Sequence, residues 1–133
     1  MPEYRLPIRV YIEDTDAGGI VYYVNYLKYF ERARTELIRA LGVDKTAVME
    51  DGSVFVVTSA AIDYHAPARL DDQLEAVAEV VGSGAATIDF RQSVLRAGIE
   101  LASGQVRVAL TDGESGKPKR MPQGLRKLLT QSI

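Results

Sequence analysis

The chain has 133 residues, of which 47% are hydrophobic and 26% are charged, and this balance is typical of one globular domain. It contains no cysteine and one histidine, which excludes disulfide frameworks, thiol catalysis, iron–sulfur clusters and the usual structural zinc sites. No stretch approaches the roughly 18 apolar residues of a membrane span, and the N-terminus lacks the features of a signal peptide. We therefore predict a single cytoplasmic domain over residues 1–133.

The formal net charge of 16 − 18 = −2 is unevenly distributed. Residues 115–133 carry +5 and no acidic residue, which leaves −2 − 5 = −7 for residues 1–114. Such a tail is usually a solvated surface. The alternative is a docking surface for a small polyanion, because five charges are few for general nucleic-acid binding, which we do not expect.

The first predicted strand runs from Arg5 to Glu13, where apolar and polar residues alternate. A turn-rich stretch, residues 14–19, ends this alternation because its paired glycines favour turn conformations. Helical spacing then begins, and it predicts a helix of about 17 residues. Asn25 is the expected N-cap, and Gly42 lies where a C-terminal glycine belongs.

Four further strands and a short final helix are predicted after the long helix. The strands are Val54–His65, Gln73–Val81, Thr87–Leu95 and Leu101–Leu110, and the final helix is Pro122–Leu129. Short connections between strands favour antiparallel pairing. The order of elements predicts an α+β domain in which an antiparallel five-stranded sheet wraps around one long central helix.

The stretch from Glu13 to Tyr26 has the composition of a site for acyl transfer. Its two aspartates, Asp14 and Asp16, precede a glycine turn that leads directly into a helix N-terminus. Free backbone N–H groups at such a terminus can polarise a carbonyl, and a nearby carboxylate can attack that carbonyl or activate water. The same residue types also serve ordinary turns and caps. A metal site at the two aspartates is a weaker alternative, because no further ligands are evident nearby.

Two blocks of sequence resemble the hotdog-fold acyl-CoA thioesterases. The first block is Asp-Thr-Asp-Ala-Gly-Gly-Ile-Val-Tyr at residues 14–22, followed by Asn-Tyr-Leu at 25–27 and Phe-Glu-Arg-Ala-Arg-Thr-Glu at 30–36. The second block is Tyr-His-Ala-Pro-Ala-Arg-Leu-Asp-Asp at 64–72. The likeness spans about residues 5–122 and is closest to the 4-hydroxybenzoyl-CoA thioesterase and Tol-Pal-associated thioesterase group.

The resemblance implies hydrolysis of a CoA thioester to a free acid and CoA, with no cofactor beyond the CoA of the substrate. Asp16 matches the family's catalytic carboxylate, and the backbone N–H of Tyr23 matches the donor to the thioester carbonyl. Asp14 is expected to brace the loop rather than to act in catalysis. The neighbouring residues expected to bind substrate are Gly18, Gly19, Val21, Tyr22 and Asn25.

Tyr23 also sets this chain apart from many bacterial members, which have histidine at that position, whereas the hydroxybenzoyl-CoA enzyme has tyrosine. The backbone donor is retained, but an imidazole is not. We expect a short aliphatic or an aromatic, 4-hydroxybenzoyl-like acyl group, and the sequence does not decide between them.

The phosphates of CoA require exposed basic groups. The candidates are Arg69, Arg91, Lys119 and Arg120. The resemblance also implies a homotetramer built as a dimer of dimers, whose sheets join edge to edge and whose active sites lie between subunits. An acyl-carrier protein is a possible partner. The alternative function is a noncatalytic scaffold of the same fold that binds acyl-CoA or acyl-carrier protein.

Three other ionisable residues are candidate catalysts. His65 at a strand end is more simply an accidental edge histidine, since a serine triad needs further geometry. Glu31 and Glu36 lie on the predicted helix, and another hotdog subgroup uses a helix carboxylate. With Asp16 present we interpret both as surface charges, with Arg32 and Glu36 forming an i,i+4 pair.

Overall fold

A computed structural model describes residues 1–43 and 49–130. The elements are β1 (Glu3–Arg9), α1 (Asn25–Ala40), β2 (Ser53–Tyr64), β3 (Gln73–Ser83), β4 (Thr87–Arg96), β5 (Ile99–Asp112) and α2 (Gln123–Leu129). The strands form one antiparallel sheet in the order β1-β3-β4-β5-β2, so β1 and β2 are its edges. The predicted α+β architecture and its five-stranded sheet are confirmed.

The core forms between α1 and the concave face of the sheet, because one face of each element is apolar. On β3, Leu74, Ala76, Ala78 and Val80 are buried, as the alternation predicts. On α1 the buried stripe includes Tyr29, Phe30, Ala33 and Leu37, at the spacing of one helix face. The helix packs on β1, β3 and β4, and it leaves the β5 and β2 side of the sheet less covered.

The first strand is shorter than predicted. It ends at Arg9, and residues Ile12–Asp14 form a single 3-10 turn in which the Ile12 side chain is 78% exposed. The alternation therefore continues past the last residue that pairs with β3, which is Arg9 opposite Gln73. Asp14 ends the turn as a buried residue, and this places the following loop at the sheet edge.

The C-terminal end of α1 agrees with the prediction, but its N-terminal end does not. Gly42 follows the helix with a φ of +102°, a backbone conformation that suits glycine at this position. Asn25 is not the N-cap, because Val24 holds that position and the Asn25 amide donates to Asp14 instead. The start of the helix is therefore fixed by the loop rather than by its own cap.

Candidate active site

Asp14 ties together the two ends of the loop between β1 and α1. Its Oδ2 accepts the Tyr11 N–H at 2.8 Å, and its Oδ1 accepts the Asn25 side-chain amide at 3.0 Å. Its carbonyl accepts the N–H of Tyr22 at 2.9 Å. Because both carboxylate oxygens accept hydrogen bonds from residues that flank the loop, Asp14 has the bracing position expected for it.

Asp16 lies on a narrow hairpin formed by the same loop. Thr15 and Val21 face each other in an antiparallel bridge, and the Asp16 N–H donates to the Ile20 carbonyl at 3.0 Å. The side chain is exposed, and its Oδ1 accepts the Gly18 N–H at 2.8 Å. Its Oδ2 makes no hydrogen bond with residues 1–43 or 49–130, so this oxygen is available to water or substrate.

The two glycines after Asp16 shape this hairpin. Gly19 has a φ of +75°, which other residues rarely adopt. A Cβ at Gly18 would lie 3.3 Å from Asp16 Oδ1, tighter than an ordinary contact. Both glycines therefore fix the position of the carboxylate, while their contact with substrate stays a prediction.

The second sequence block holds the hairpin in place. Val21 donates its N–H to the Ala68 carbonyl at 2.8 Å, and the Leu70 N–H donates to the Gly19 carbonyl at 3.2 Å. Between these two bonds, Ile20 and Arg69 form an antiparallel bridge. The two motifs, separated by more than forty residues in sequence, thus form one hydrogen-bonded unit.

Arg96 of β4 supports the second block in turn. Its Nη1 donates to Asp72 Oδ2 at 2.6 Å. Burial alone would raise the pKa of Asp72, but hydrogen bonds from the Arg69 N–H and from Arg96, together with their charges, bring it below its usual value. Asp72 is therefore an ionised anchor at neutral pH.

Tyr23 lies two residues before α1, at the position expected of the oxyanion donor. Its N–H has no hydrogen-bond acceptor among the described residues, whereas its carbonyl accepts the Tyr64 hydroxyl at 2.9 Å. Burial, with smaller contributions from Tyr23 and Tyr26, raises the pKa of Tyr64, so its hydroxyl stays protonated at neutral pH and can donate. An unpaired N–H at a helix N-terminus is suited to a developing oxyanion.

A groove of about 340 Å³ opens beside Tyr23. Its walls are mainly apolar and aromatic, and three tyrosine rings pack edge to face there, with the rings of Tyr26 and Tyr64 centred 5.3 Å apart. The lining residues are Ile20, Val21, Tyr23, Tyr26, Tyr64, His65, Ala66 and Pro67. Of the predicted substrate residues, Val21 thus reaches the groove wall.

Tyr22 and Asn25 occupy different surroundings. The Tyr22 side chain is exposed, and its ring centre lies 5.0 Å from that of Tyr23. The Asn25 side chain is buried against Asp14, so its amide positions the loop instead of facing the groove.

The four predicted phosphate-binding residues are not brought together within one chain. Arg69 is exposed next to the hairpin. Arg91 lies on the outer face of the sheet, because its neighbours on β4, Phe90 and Gln92, point toward the helix. Lys119 donates to Asp51 at 3.0 Å, next to the start of β2, and exposed Arg120 follows it. The twelve residues of β2 separate Lys119 from the Tyr64 end by about 36 Å.

The other ionisable candidates have surface positions. His65 Nε2 lies 2.9 Å from Ser103 Oγ and 3.7 Å from Glu100 Oε1. Serine and acid therefore approach the same ring nitrogen, whereas a triad needs them on different nitrogens. Glu36 pairs with Arg39, so the predicted pair with Arg32 is wrong, and the Arg32 guanidinium lies over the ring of Tyr29 instead.

Sequence reasoning missed the part that Tyr64 plays at the site. This residue begins the second block, and only the fold shows its hydroxyl reaching the Tyr23 peptide 41 residues away in sequence. Within residues 1–43 and 49–130, no helix is long and apolar enough to cross a membrane, and no three or more His, Asp or Glu side chains are grouped as metal ligands.

A five-stranded antiparallel sheet packed on one central helix is the architecture of the hotdog class of domains. The family model of the thioesterase-like superfamily matches residues 10–129. The chain belongs to this superfamily, which confirms the resemblance and the thioester hydrolase class predicted from the sequence.

Individual relatives agree with this assignment. The chain is 43% identical over 124 residues to an acyl-CoA thioesterase YbgC from Haemophilus influenzae. This match covers 92% of this chain and 91% of that protein. It is 39% identical over 123 residues to an acyl-CoA thioester hydrolase YbgC from Escherichia coli O6:H1, covering 92% of each. A crystal structure of a probable thioesterase from Bartonella henselae superposes with a TM-score of 0.85 at 32% identity, covering 90% of this chain and 99% of that one.

Proposed function

We propose that the protein hydrolyses an acyl-CoA thioester, with Asp16 as the catalytic carboxylate and the Tyr23 N–H as the oxyanion donor. One observation carries this proposal: a free carboxylate oxygen and a free helix-terminal N–H are held on the same hydrogen-bonded loop. The relatives named acyl-CoA thioesterases support the substrate class. No cofactor is needed, because the CoA belongs to the substrate.

In the reaction the thioester carbonyl oxygen accepts the Tyr23 N–H, and the helix N-terminus stabilises the negative charge that develops on that oxygen. Asp16 either attacks the carbonyl carbon or takes a proton from an attacking water. The C–S bond then breaks, and CoA leaves as its thiolate. By the nucleophilic route, water next hydrolyses the acyl-aspartate. After a single turnover in oxygen-18 water, label in the enzyme carboxylate identifies the nucleophilic route with attack of water at the aspartyl carbonyl, and a trapped acyl-aspartate identifies that route when water attacks the acyl carbonyl.

The groove at Tyr23 is the place for the thioester and the first part of the acyl group. Its aromatic walls suit a short aliphatic or an aromatic, 4-hydroxybenzoyl-like acyl group. Arg69, which is exposed beside the hairpin, supports contact with the CoA phosphates there. An acyl group delivered by acyl-carrier protein instead of CoA, and a cytoplasmic location, stay predictions.

We also propose that two copies pair through β2, as the first step to a homotetramer. Six consecutive residues of this edge strand, 56–61, are exposed, although alternate residues of a sheet covered on one face should be buried. An uncovered edge of this kind is a template for pairing with another strand. Antiparallel pairing would bring Lys119 and Arg120 of one copy to the Tyr64 end of the other, where CoA phosphates could use them.

Light scattering at micromolar concentration tests this pairing. Val56→Lys places a charge on the exposed edge and is expected to yield monomers. Ile99→Lys is the control, because Ile99 is an exposed apolar residue at the start of β5, outside the part of that strand that pairs with β2. A wild-type monomer would contradict the pairing.

Hydrolysis is tested by CoA release from acetyl-, butyryl-, palmitoyl-, benzoyl- and 4-hydroxybenzoyl-CoA. Asp16→Asn preserves an oxygen acceptor for the Gly18 N–H and should lower kcat about a hundredfold or more. Asp63→Asn is the matched control, since Asp63 is an exposed carboxylate near the end of β2. Near-wild-type turnover by Asp16→Asn would contradict the assignment, and saturable binding without turnover would favour the scaffold.

A further inference from the structure

Tyr26 is the buried one of the three tyrosines that line the Tyr23 groove. It lies in the first turn of α1, and its side chain is only 3% exposed. Side chains of a helix tilt toward the helix N-terminus, so the Tyr26 ring reaches back toward the turn that contains Tyr23. The Tyr23 peptide and the Tyr26 side chain therefore border the groove from the same end of the helix.

The hydroxyl of Tyr26 is fixed in position, but its proton is unused. Its oxygen accepts the Ala68 N–H at 3.0 Å, in a buried contact that joins α1 to the second block. A phenol that accepts one hydrogen bond can still donate its own proton. Among residues 1–43 and 49–130, that proton has no acceptor, and the hydroxyl of neighbouring Tyr29 is itself without a hydrogen bond. Because a buried donor without a partner is costly, an acceptor in the groove would complete the Tyr26 hydroxyl.

The other two tyrosines of the groove do not supply such a donor. Tyr64 uses its proton on the Tyr23 carbonyl at 2.9 Å. The Tyr23 side chain is 59% exposed and has no hydrogen bond to hold its hydroxyl among the described residues. Among these phenols, Tyr26 thus combines a buried ring, a fixed oxygen and a free proton.

The surroundings of the Tyr26 hydroxyl favour a strong hydrogen bond to an anionic oxygen. The ring of Tyr64 is centred 5.3 Å from that of Tyr26, and the neighbouring groove walls are mainly apolar. Electrostatic interactions are stronger in such surroundings than in water. The hydrogen bond from the Ala68 N–H also polarises the phenol, which makes it a better donor.

We propose that the Tyr26 hydroxyl is a second oxyanion donor, so that the thioester carbonyl oxygen is held between this hydroxyl and the Tyr23 N–H. This rests on the proposed hydrolysis, which by itself gives that oxygen one donor. Tyrosine hydroxyls serve in oxyanion holes, and a carbonyl oxygen has lone pairs for two donors.

The proton of Tyr26 is not transferred in this step. When the nucleophile bonds to the carbonyl carbon, an electron pair of the C=O bond moves to the oxygen, and both hydrogen bonds strengthen. When the C–S bond breaks, that pair re-forms the C=O bond, and CoA leaves with the electrons of the C–S bond. Tyr26 therefore contacts a reacting atom and is a catalytic residue, whereas Tyr64 is a positioning residue.

Steady-state CoA release compares the wild type with Tyr26→Phe, which removes the hydroxyl and retains the ring. Loss of one oxyanion donor should lower kcat about a hundredfold with little change in KM, because the bond is strongest in the transition state. Tyr4→Phe is the matched control, since Tyr4 is a partly buried tyrosine of β1 outside the groove. A kcat of Tyr26→Phe within about twofold of the wild type would overturn the proposal.

Two CoA analogues separate donation to the oxygen from a structural role. A trifluoromethyl ketone analogue adds a nucleophile and forms a tetrahedral oxyanion, whereas an S-alkyl-CoA thioether has no carbonyl oxygen. Calorimetry should show that Tyr26→Phe weakens binding of the ketone by about the same factor as kcat and leaves binding of the thioether unchanged. Equal weakening of both analogues would overturn the donor role, because it would show general damage to the groove.

Fluorinated tyrosine at position 26 tests the same point if Tyr26→Phe does not fold. Fluorination makes the phenol more acidic, so the hydroxyl becomes a stronger donor to an oxyanion and a weaker acceptor of the Ala68 N–H. Below the pH at which the fluorinated phenol ionises, affinity for the ketone should rise with the acidity of the phenol. Affinity that falls with acidity would overturn the proposal, since it would mean that the hydroxyl serves only as an acceptor.

The ketone also distinguishes this proposal from the proposed hydrolysis. If the wild type hydrolyses no ester, but prefers the ketone to the thioether and needs the Tyr26 hydroxyl for that preference, the hydrolysis is overturned and the donor is supported. If the wild type hydrolyses esters and Tyr26→Phe retains the full preference for the ketone, the donor is overturned and the hydrolysis is supported.

Discussion

The two ends of β2 are built differently. At the Tyr64 end, loop, second block and helix start are joined by backbone hydrogen bonds within one chain. At the Ser53 end, the neighbouring features are an exposed Lys119–Asp51 ion pair and a cavity that contains Arg34. The groups proposed to react are thus positioned by contacts within one chain, whereas the Ser53 end has an exposed ion pair and an open cavity.

The largest effect is expected from removing the Asp14 carboxylate, which holds the loop together at the Tyr64 end of β2. Asp14→Ala leaves the Tyr11 N–H and the Asn25 amide without their acceptor, at a cost of about 3 kcal/mol of unfolding free energy. CoA release should fall with it, because the hairpin that holds Asp16 loses its brace. Urea unfolding and the CoA assay check both effects. An active variant of unchanged stability would show that the Tyr64 end does not depend on this carboxylate.

A smaller effect is expected at the Tyr64 hydroxyl. Tyr64→Phe removes the hydrogen bond to the Tyr23 carbonyl, and the ring retains its packing. The loss should appear as a fall of about tenfold in kcat with little change in KM, because the bond orients the peptide that stabilises the transition state. Tyr11→Phe is the control, since Tyr11 is an exposed tyrosine outside the groove. If kcat fell and KM rose by the same factor, the result would contradict a positioning role for the Tyr64 hydroxyl.

The Asp72–Arg96 contact gives a pH-dependent prediction. The pKa of Asp72 is lowered in the folded protein, so its ionised form contributes stability above the unfolded pKa of about 4, and this is lost as pH falls through the folded value. Asp72→Asn should cost about 1 kcal/mol near pH 7, a figure discounted for the partial exposure of Arg96. The difference from wild type should narrow below about pH 4. Thermal unfolding across that range measures it, and a constant difference would contradict the linkage.

Much of this fold follows from local pattern. The strands β3, β4 and β5 have strict alternation and clear turns, and their predicted bounds lie within two residues of those observed. The end of β1 could not be predicted, because the apolar alternation continues to Ile12 after the pairing partner has ended at Gln73. The prediction of Asn25 as the N-cap is wrong for a similar reason, because local preference does not reveal that Asp14 lies beside it.

The site was predictable only where its chemistry is local. The carboxylate, glycine turn and helix start are contiguous, so Asp16 and the Tyr23 N–H could be proposed from the sequence. The hydrogen bonds of Tyr64 with Tyr23 and of Arg34 with Gln92 join residues 41 and 58 positions apart, and local pattern does not reveal them.

The smallest expected effect is a difference in KM between variants of Arg69 and Arg91, two basic residues in different parts of the molecule. Arg69 lies beside the hairpin, so Arg69→Gln should raise KM for an acyl-CoA severalfold, and the effect should fade at high salt because exposed charges are screened. Arg91→Gln removes the same charge from the outer face of the sheet and should change KM by less than about twofold. Steady-state kinetics at low and high salt compare the two variants. Equal effects would mean that CoA responds to the net charge of the protein, and a larger effect at Arg91 would place the nucleotide on the outer face of the sheet.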